Sequence, residues 1–384
     1  MEVELVGPIG DPSGYGHDCR QTAHALIRAG VDLTITRVAF DQSGFSCDYG
    51  RVESIIRSHI RPARDPKIQI IHSTPEFWSK YARRGCYIIG KTVWETDRIN
   101  SRWVKYIQEA GVQELWLPNQ FNIDIFKKDL PDLPMTDIPH AHDTEAFTPG
   151  VMPIDLSPFG VLPDTFVFGA GFQWTERKNP LGLVTAYLAE FSPDEPVVLV
   201  LKTYASNTSE GEIDRVHKSL TATLNNAGFS SGGAHLAMLP QLLPFNMLLQ
   251  WHKRVDCGVY PHRGEGWGLH ISESMLMETP CIVTNWSGST AFCDEANSYP
   301  INYQMTPVRG MPWSPWYNAT QSWAEPDLIH LRKIMRHVFE SRKSSELSDK
   351  GIAARATIYD RYNLDAVGEL MRKRLEEIRG GPEN

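Results

Sequence analysis

The sequence predicts two α/β units in tandem, each a parallel sheet with helices on both faces. Three observations carry that prediction. At 384 residues the chain fits two domains better than one. Short apolar runs alternate with longer amphipathic stretches over most of its length, which is the rhythm of βαβ units. A proline-dense passage (Pro131, Pro134, Pro139, Pro149, Pro153, Pro158 and Pro163) interrupts the rhythm near the middle and marks a linker.

In the first half, Val3–Val6, Leu33–Phe40, Ile68–Ile71, Tyr87–Ile89 and Glu114–Leu117 are expected strands. Helices are expected near His17–Ala29, Glu76–Ala82, Ser101–Ala110 and Phe121–Lys128. Beyond the prolines, Phe166–Gly169, Val197–Leu201, His235–Met238, Val255–Tyr260 and Cys281–Thr284 read as strands. A helix begins after Pro180, and others lie near Pro244–His252 and Leu269–Glu278. Two amphipathic helices, Asp327–Glu340 and Leu364–Ile378, follow and can close over either half. Sheets of this kind bind ligands beyond the carboxyl ends of their strands, so a cleft between the units is the expected site.

Composition excludes several classes. With 41% hydrophobic and 22% charged residues, the chain can bury a core and is not globally disordered. No apolar run approaches the ~18 residues that a membrane span needs. Met1–Gly10 lacks a basic segment followed by an apolar one, so it reads as a first strand entering a glycine loop, not as a signal peptide. Six cysteines without a Cys-x-x-Cys pair argue against a zinc ribbon or a disulfide framework, and suit a reducing cytoplasm. Net charge is −8, yet Arg51–Arg102 holds 11 Lys/Arg against 5 Asp/Glu, a local excess of +6. Either this sector faces an anionic partner or it is a set of solvated helix surfaces.

Gly85-Cys-Tyr-Ile-Ile-Gly90-Lys91-Thr92 matches the Walker A pattern letter by letter. A phosphate cradle needs a flexible loop between its glycines, however, and Cys-Tyr-Ile-Ile has the character of a strand. Lys91 is therefore not expected at a phosphate. Gly7, Gly10, Gly14 and Gly16 are better placed, after strand one and before a helix, where backbone amides can approach a ligand. A loop that merely turns fits those residues equally well.

The densest chemistry lies in Arg263-Gly-Glu265-Gly-Trp-Gly268-Leu-His-Ile-Ser-Glu273. One carboxylate stands in a glycine-rich loop, the other eight positions on in the next helix. A helix starting near Gly268 offers free amides and the positive end of its dipole to a diphosphate. Glu273 can then hold the vicinal hydroxyls of a ribose, and Glu265 can reach the group beyond the phosphates.

This segment, with Thr279-Pro280 and Asn285-Trp-Ser-Gly288, resembles the nucleotide-sugar site of retaining GT-B glycosyltransferases, glycosyltransferase family four (the group 1 enzymes) above all. Gly171-Phe-Gln-Trp-Thr-Glu-Arg177-Lys178-Asn179-Pro180 resembles the family's loop whose lysine contacts the donor diphosphate. Ile138-Pro-His140-Ala-His-Asp143-Thr-Glu-Ala-Phe147-Thr-Pro149 is similar to its interdomain signature, and Gly10–Gly16 to the loop lining its reaction centre. The likeness covers about four-fifths of the chain. It implies a GT-B fold, two Rossmann-like domains with parallel sheets facing across a cleft: an acceptor domain over 1–150, a donor domain over 151–361, and a last helix, 362–384, packing back on the first.

The resemblance also implies roles. Donor contacts fall to Gly14, Gly16, Arg177, Lys178, Lys202, Gly266, Trp267, Gly268, Leu269 and Glu273; Glu265 and Lys178 serve the chemistry. The family's arginine ahead of the lysine is missing, with Phe172 and Gln173 near its place, so Arg177 or Lys202 supplies the second cation. The family's His-Asp pair is replaced by Thr92-Val-Trp94-Glu95-Thr96-Asp97, which leaves Glu95 and Asp97 as rivals at the reaction centre; helix N-cap duty for Thr96 or Asp97 is the plainer reading. His140 and His142 form an H-x-H with no third ligand at suitable spacing, so no metal site is expected there. Trp313, Trp316 and Trp323 read as a packed aromatic flap. The sequons at Asn207 and Asn318 carry no weight in a cytosolic chain.

The expected activity is retaining, metal-independent transfer of a sugar from a UDP- or GDP-linked donor, without a further cofactor, to a glycan or glycolipid hydroxyl. The basic sector would face the acceptor, and peripheral contact with a membrane is compatible with it. Transfer to hydroxylated bases of DNA, or to a small molecule, is an alternative. A non-catalytic sugar-nucleotide binding module and a P-loop kinase or ATPase complete the set.

Overall fold

The computed structural model describes residues 2–38, 52–205, 208–229 and 234–380. The chain divides into two compact units: Met1–Ala146 with Tyr359–Asn384, and Phe147–Ile358. Expected features at Ala39, Phe40, Cys47, Arg51 and Asn207 lie outside the described residues.

The first unit runs β1 (Glu2–Gly7), α1 (Gly14–Arg28), β2 (Asp32–Arg37), α2 (Val52–Arg57), β3 (Ile68–His72), α3 (Trp78–Tyr81), β4 (Tyr87–Lys91), α4 (Ser101–Glu109), β5 (Glu114–Leu117), α5 (Gln120–Lys127) and β6 (Met135–Asp137). Its sheet is parallel throughout, in the order β2-β1-β3-β4-β5-β6. Such strands are covered on both faces, which is why they read as unbroken apolar runs. Strand β6 falls among the prolines and escaped the sequence reading. Helix starts follow local chemistry: Ser13 caps α1, Asn100 caps α4 and Asn119 caps α5, each through a side-chain oxygen. The α4 cap is thus Asn100, neither Thr96 nor Asp97.

The second unit holds β7 (Phe166–Gln173), α6 (Pro180–Glu190), β8 (Val197–Tyr204), α7 (Glu210–Asn226), β9 (Leu236–Leu239), α8 (Phe245–Arg254), β10 (Cys257–Tyr260), α9 (Leu269–Leu276), β11 (Cys281–Thr284) and β12 (Ser298–Ile301). A hairpin of β13 (Tyr303–Pro307) and β14 (Ser322–Pro326), then α10 (Leu328–Glu340) and α11 (Glu346–Arg361), follow. The six-stranded sheet is parallel in the order β12-β11-β10-β7-β8-β9. Counted from β7, that is the 3-2-1-4-5-6 order of a dinucleotide-binding fold. Alternate residues of β7 and β8 serve opposite faces: Phe166, Phe168, Leu199 and Leu201 pack with α6 and α10, whereas Val167, Val198 and Val200 meet Trp251 of α8.

The last helix, α12 (Leu364–Gly380), belongs to the first unit. Leu364, Val367, Met371 and Leu375 join the core formed by β1, β3 and α1. Gly368 lets α12 approach α1, since a Cβ there would stand 2.5 Å from the Ala25 carbonyl oxygen. Arg374 reaches the fully buried Glu114 of β5, with Nη2 2.8 Å from Oε2. No helix among the described residues is long and apolar enough to cross a membrane.

Candidate functional site

The switch point of the second sheet lies between β7 and β10, where the strand order reverses, and loops from both strands emerge there. After β7 the chain makes a short turn, Glu176–Lys178, and enters α6 through Asn179, which adopts a left-handed φ of 53°. After β10 it runs from Pro261 to Gly268. Gly268 has a φ of 103°, which only glycine adopts without strain, and α9 starts directly after it.

The two loops are tied together. The Arg263 N–H donates to the Arg177 carbonyl (2.8 Å), Arg177 Nη1 to the Gly264 carbonyl (2.7 Å) and Asn179 Nδ2 to the Pro261 carbonyl (3.2 Å). Arg263 is fixed in turn by Glu325 of β14, whose two oxygens accept at 2.6 and 2.8 Å. The backbone therefore delivers Arg177, Lys178 and Glu265 to one place. Lys178 Nζ pairs with Glu265 Oε1, Arg177 Nη1 lies 3.3 Å from the same oxygen, and His262 Nδ1 lies 2.6 Å away. Burial would raise the Glu265 pKa, but Lys178, Arg177 and His262 together hold it well below the usual carboxylate range. Burial, then the charge of Lys178, pushes His262 down to about 4, so this imidazole is neutral at pH 7.

Glu273 sits one helical turn and more into α9 and is 3% exposed. Its Oε2 lies 3.1 Å from His270 Nδ1 and 3.7 Å from His252 Nε2. Lys202, at a buried position of β8, has its pKa lowered by burial against the opposing charge of Glu273. Of the two candidates for a second cation beside Lys178, Arg177 is the one at Glu265, and Lys202 belongs to the Glu273 side. Trp267 packs its indole in the core against Phe292 (4.8 Å between ring centroids), so it can offer a ligand only its backbone. Gly266, Gly268 and Leu269 lie in the same loop and helix start. The tryptophan flap resolves into separate fates, with Trp323 buried beside Val308 and Met311 and Trp313 exposed.

In the first unit the corresponding switch point falls between β1 and β3. Gly14 opens α1. Gly16 is a glycine because a Cβ would stand 2.0 Å from the Asp11 carbonyl oxygen; the loop folds tightly on itself, and Arg20 Nη1 donates to that oxygen at 2.8 Å. Behind the loop lies a cluster that sequence reading missed. Asp18, 1% exposed, pairs with Lys91, with His72 Nε2 at 3.1 Å and with His140 Nε2 at 3.2 Å. The residues come from α1, β3, β4 and the segment after β6, so no spacing in the sequence announces them. Lys91 is buried at the end of β4, and the Gly85–Gly90 stretch consists mainly of that strand and not of a phosphate-binding loop. Glu95 and Asp97 are half-buried beyond β4. Lys128 Nζ donates to the Asp97 carbonyl at 2.7 Å, and the buried Trp94 donates to Thr96 Oγ1 at 2.6 Å.

The basic sector is partly neutralised. Arg61 lies 3.7 Å from Asp32, Lys67 2.8 Å from Asp65, Arg83 3.3 Å from Glu4, and Lys91 pairs with Asp18. Three of those acids lie outside the stretch, so the linear excess of +6 overstates the local surface charge.

No protein-family model and no curated protein matches the sequence. Solved structures do match over nearly the whole chain. Sucrose-phosphate synthase of Thermosynechococcus elongatus superposes with a TM-score of 0.71 at 12% identity, covering 99% of each chain. HepE of Anabaena in complex with UDP gives 0.69 at 13% identity, over 98% of this chain and 100% of that one. The trehalose-6-phosphate protein of E. coli bound with UDP-2-fluoro glucose gives 0.65 at 12% identity, over 98% and 99%. The fold is GT-B.

Proposed function

We propose that the protein is a retaining glycosyltransferase that moves a sugar from a nucleoside diphosphate sugar to an acceptor hydroxyl. The observation that carries this reading is the convergence of Arg177, Lys178 and Glu265 at the switch point, with Glu273 on the helix that follows. Solved structures of the same fold hold UDP or UDP-glucose, which is consistent with a UDP-linked donor.

A departing diphosphate gathers negative charge, and the catalytic gain comes from groups already aimed where that charge develops. Lys178, Arg177 and the amides at Gly268–Leu269 are such groups. Glu265 holds both cations in place before the donor arrives, then shares them with the phosphates and faces the sugar beyond. Glu273 accepts hydrogen bonds from the ribose hydroxyls. Retention follows from front-face attack, with the leaving phosphate taking the acceptor proton. In the first unit Gly14 and Gly16 contact the donor, and one of Glu95 and Asp97 serves the reaction centre. No bound metal is required, because protein cations serve the phosphates.

The acceptor we favour is a glycan or glycolipid hydroxyl. The offset charge of the basic sector weakens the case for DNA, whose binding would rest on unpaired cations at phosphates. The test is turnover of UDP- and GDP-sugars with glycan, glycolipid and hydroxylated-DNA acceptors, in EDTA, with the anomeric configuration of the product read by NMR. Transfer with retention is expected. Donor binding without transfer or hydrolysis would leave a binding module, and inversion or a strict need for Mn²⁺ would overturn the reading.

A further inference from the structure

The two histidines beside Glu273 have no part in the function proposed above. His252 lies in α8; His270 and Glu273 are three residues apart in α9 and share one face of it. One ligand atom from each residue lies within 4.8 Å of the others. Zinc bonds of about 2.0–2.1 Å in a tetrahedral shell put neighbouring ligand atoms roughly 3.3 Å apart. The separations of 3.1 and 3.7 Å from Glu273 Oε2 lie either side of that value.

A second observation is independent of those distances. His252 is 1% exposed, and its Nε2, on the side of Glu273, has no hydrogen-bond partner. Its Nδ1 is engaged, 3.0 Å from Ser274 Oγ, which is itself 2.9 Å from Tyr260 Oη. Ligand histidines are oriented through the ring nitrogen that does not meet the metal, the place Ser274 takes at His252. With Nδ1 engaged by Ser274, Nε2 is the ring nitrogen of His252 that is open to an ion. His270 is about one-third exposed (32%) and gives an ion a way in.

We propose that His252, His270 and Glu273 bind a divalent transition metal ion of the zinc class, with water in the fourth position, and that the ion withdraws Glu273 from a donor nucleoside. Two imidazoles and one carboxylate suit zinc and its neighbours, whereas Mg²⁺ and Ca²⁺ prefer all-oxygen shells. Lys202 opposes the ion, since its charge acts on both Glu273 and His252. The metal inhibits; it does not catalyse, so chelation leaves transfer intact while added zinc suppresses it. The inhibition rests on the proposed role of Glu273, but the metal site itself does not.

The test uses the full chain without a histidine tag, stripped with EDTA, dialysed and titrated with Co²⁺ as a spectroscopic probe. One equivalent should develop the intense visible absorption of tetrahedral cobalt, and Zn²⁺ should displace it. His270→Asn, at a partly exposed position, should weaken binding at least ten-fold with an unchanged circular dichroism spectrum. Lys202→Met should tighten it. Absence of the tetrahedral spectrum, or wild-type titration by His270→Asn, overturns the proposal. UDP separates the two readings. Competition between UDP and Co²⁺ supports both. Cobalt binding that UDP does not disturb leaves the metal site standing and removes Glu273 from the nucleoside. UDP binding that depends on Glu273, in a protein that takes no cobalt, does the reverse.

Discussion

Gly288 presses on Gly266: its N–H donates to the Glu265 carbonyl at 2.8 Å, and a Cβ on it would stand 2.1 Å from the Gly266 carbonyl oxygen. The contact is backbone on backbone, with no flexible side chain to give way. Gly288→Ala must therefore displace the loop that carries Glu265. A shift of about 1 Å at a catalytic group costs on the order of 10²-fold in rate. Transfer should fall by about that factor while far-UV circular dichroism stays native. Wild-type kinetics in this variant would mean that the loop does not position the chemistry.

Glu273→Gln should weaken UDP binding by about ten- to a hundred-fold, because a charge-assisted hydrogen bond contributes roughly 1.5–3 kcal/mol. Calorimetric titration reads the change directly. Glu265→Gln should lower kcat more than donor affinity, since that carboxylate organises Lys178 and Arg177 as well as facing the sugar. Equal losses in kcat and affinity for both variants would remove the division of roles.

Acid should destabilise the second unit in two windows. His262 has its pKa lowered to about 4 against an ordinary value of 6.5, so the unfolded chain takes up a proton there first. Its contribution is complete above pH ~6.5 and is lost as pH falls towards 4, at most about 3 kcal/mol. The depressed pKa of Glu265 acts lower, with its contribution present above pH ~4.5 and lost as pH falls further. Urea unfolding followed by tryptophan fluorescence should show wild-type protein losing more stability than His262→Gln between pH 6.5 and 4.5. Parallel curves would place the titration elsewhere.

Lys91→Met should destabilise the first unit by about 3–5 kcal/mol, because it strands the buried Asp18 carboxylate among two imidazoles. Lost activity in this variant would say nothing about phosphate binding. Asp18→Asn in the same chain should restore much of the stability in thermal melts. A double variant no better than the single one would show that the pair is not coupled.

Legibility followed sequence distance. Strands of four to eight apolar residues and helices with side-chain caps declare themselves locally, so β11 (Cys281–Thr284) and α4 could be placed nearly to the residue. β6 could not, because three residues among prolines carry no period; α7 does carry an apolar stripe, Ile213, Val216, Leu220 and Leu224, yet polar residues dominate the segment and only Val216 is fully buried. In the site, Glu265 and Glu273 were visible because eight residues separate them. Glu265's partner Lys178 lies 87 residues away and was reached only through a family resemblance. The grouping of Asp18, His72, Lys91 and His140 was invisible, although Lys91 and His140 stood out for other motifs, since four distant segments meet only after the sheet has formed.

Arg28 of α1 and Asp365 of α12 meet across 337 residues of chain, and the helices between which they form a bridge share one core. Synthesis therefore delivers the two parts of that core at opposite ends of a long interval. Until α12 leaves the ribosome, α1 and its sheet expose the groove that Leu364, Val367, Met371 and Leu375 will fill. Residues 147–358, whose strands are contiguous in the chain, are complete earlier. The unit made first is the unit finished last, and during that wait its uncovered groove is the place where a nascent chain of this protein is most open to chaperones, to proteases and to its own neighbours on the same message.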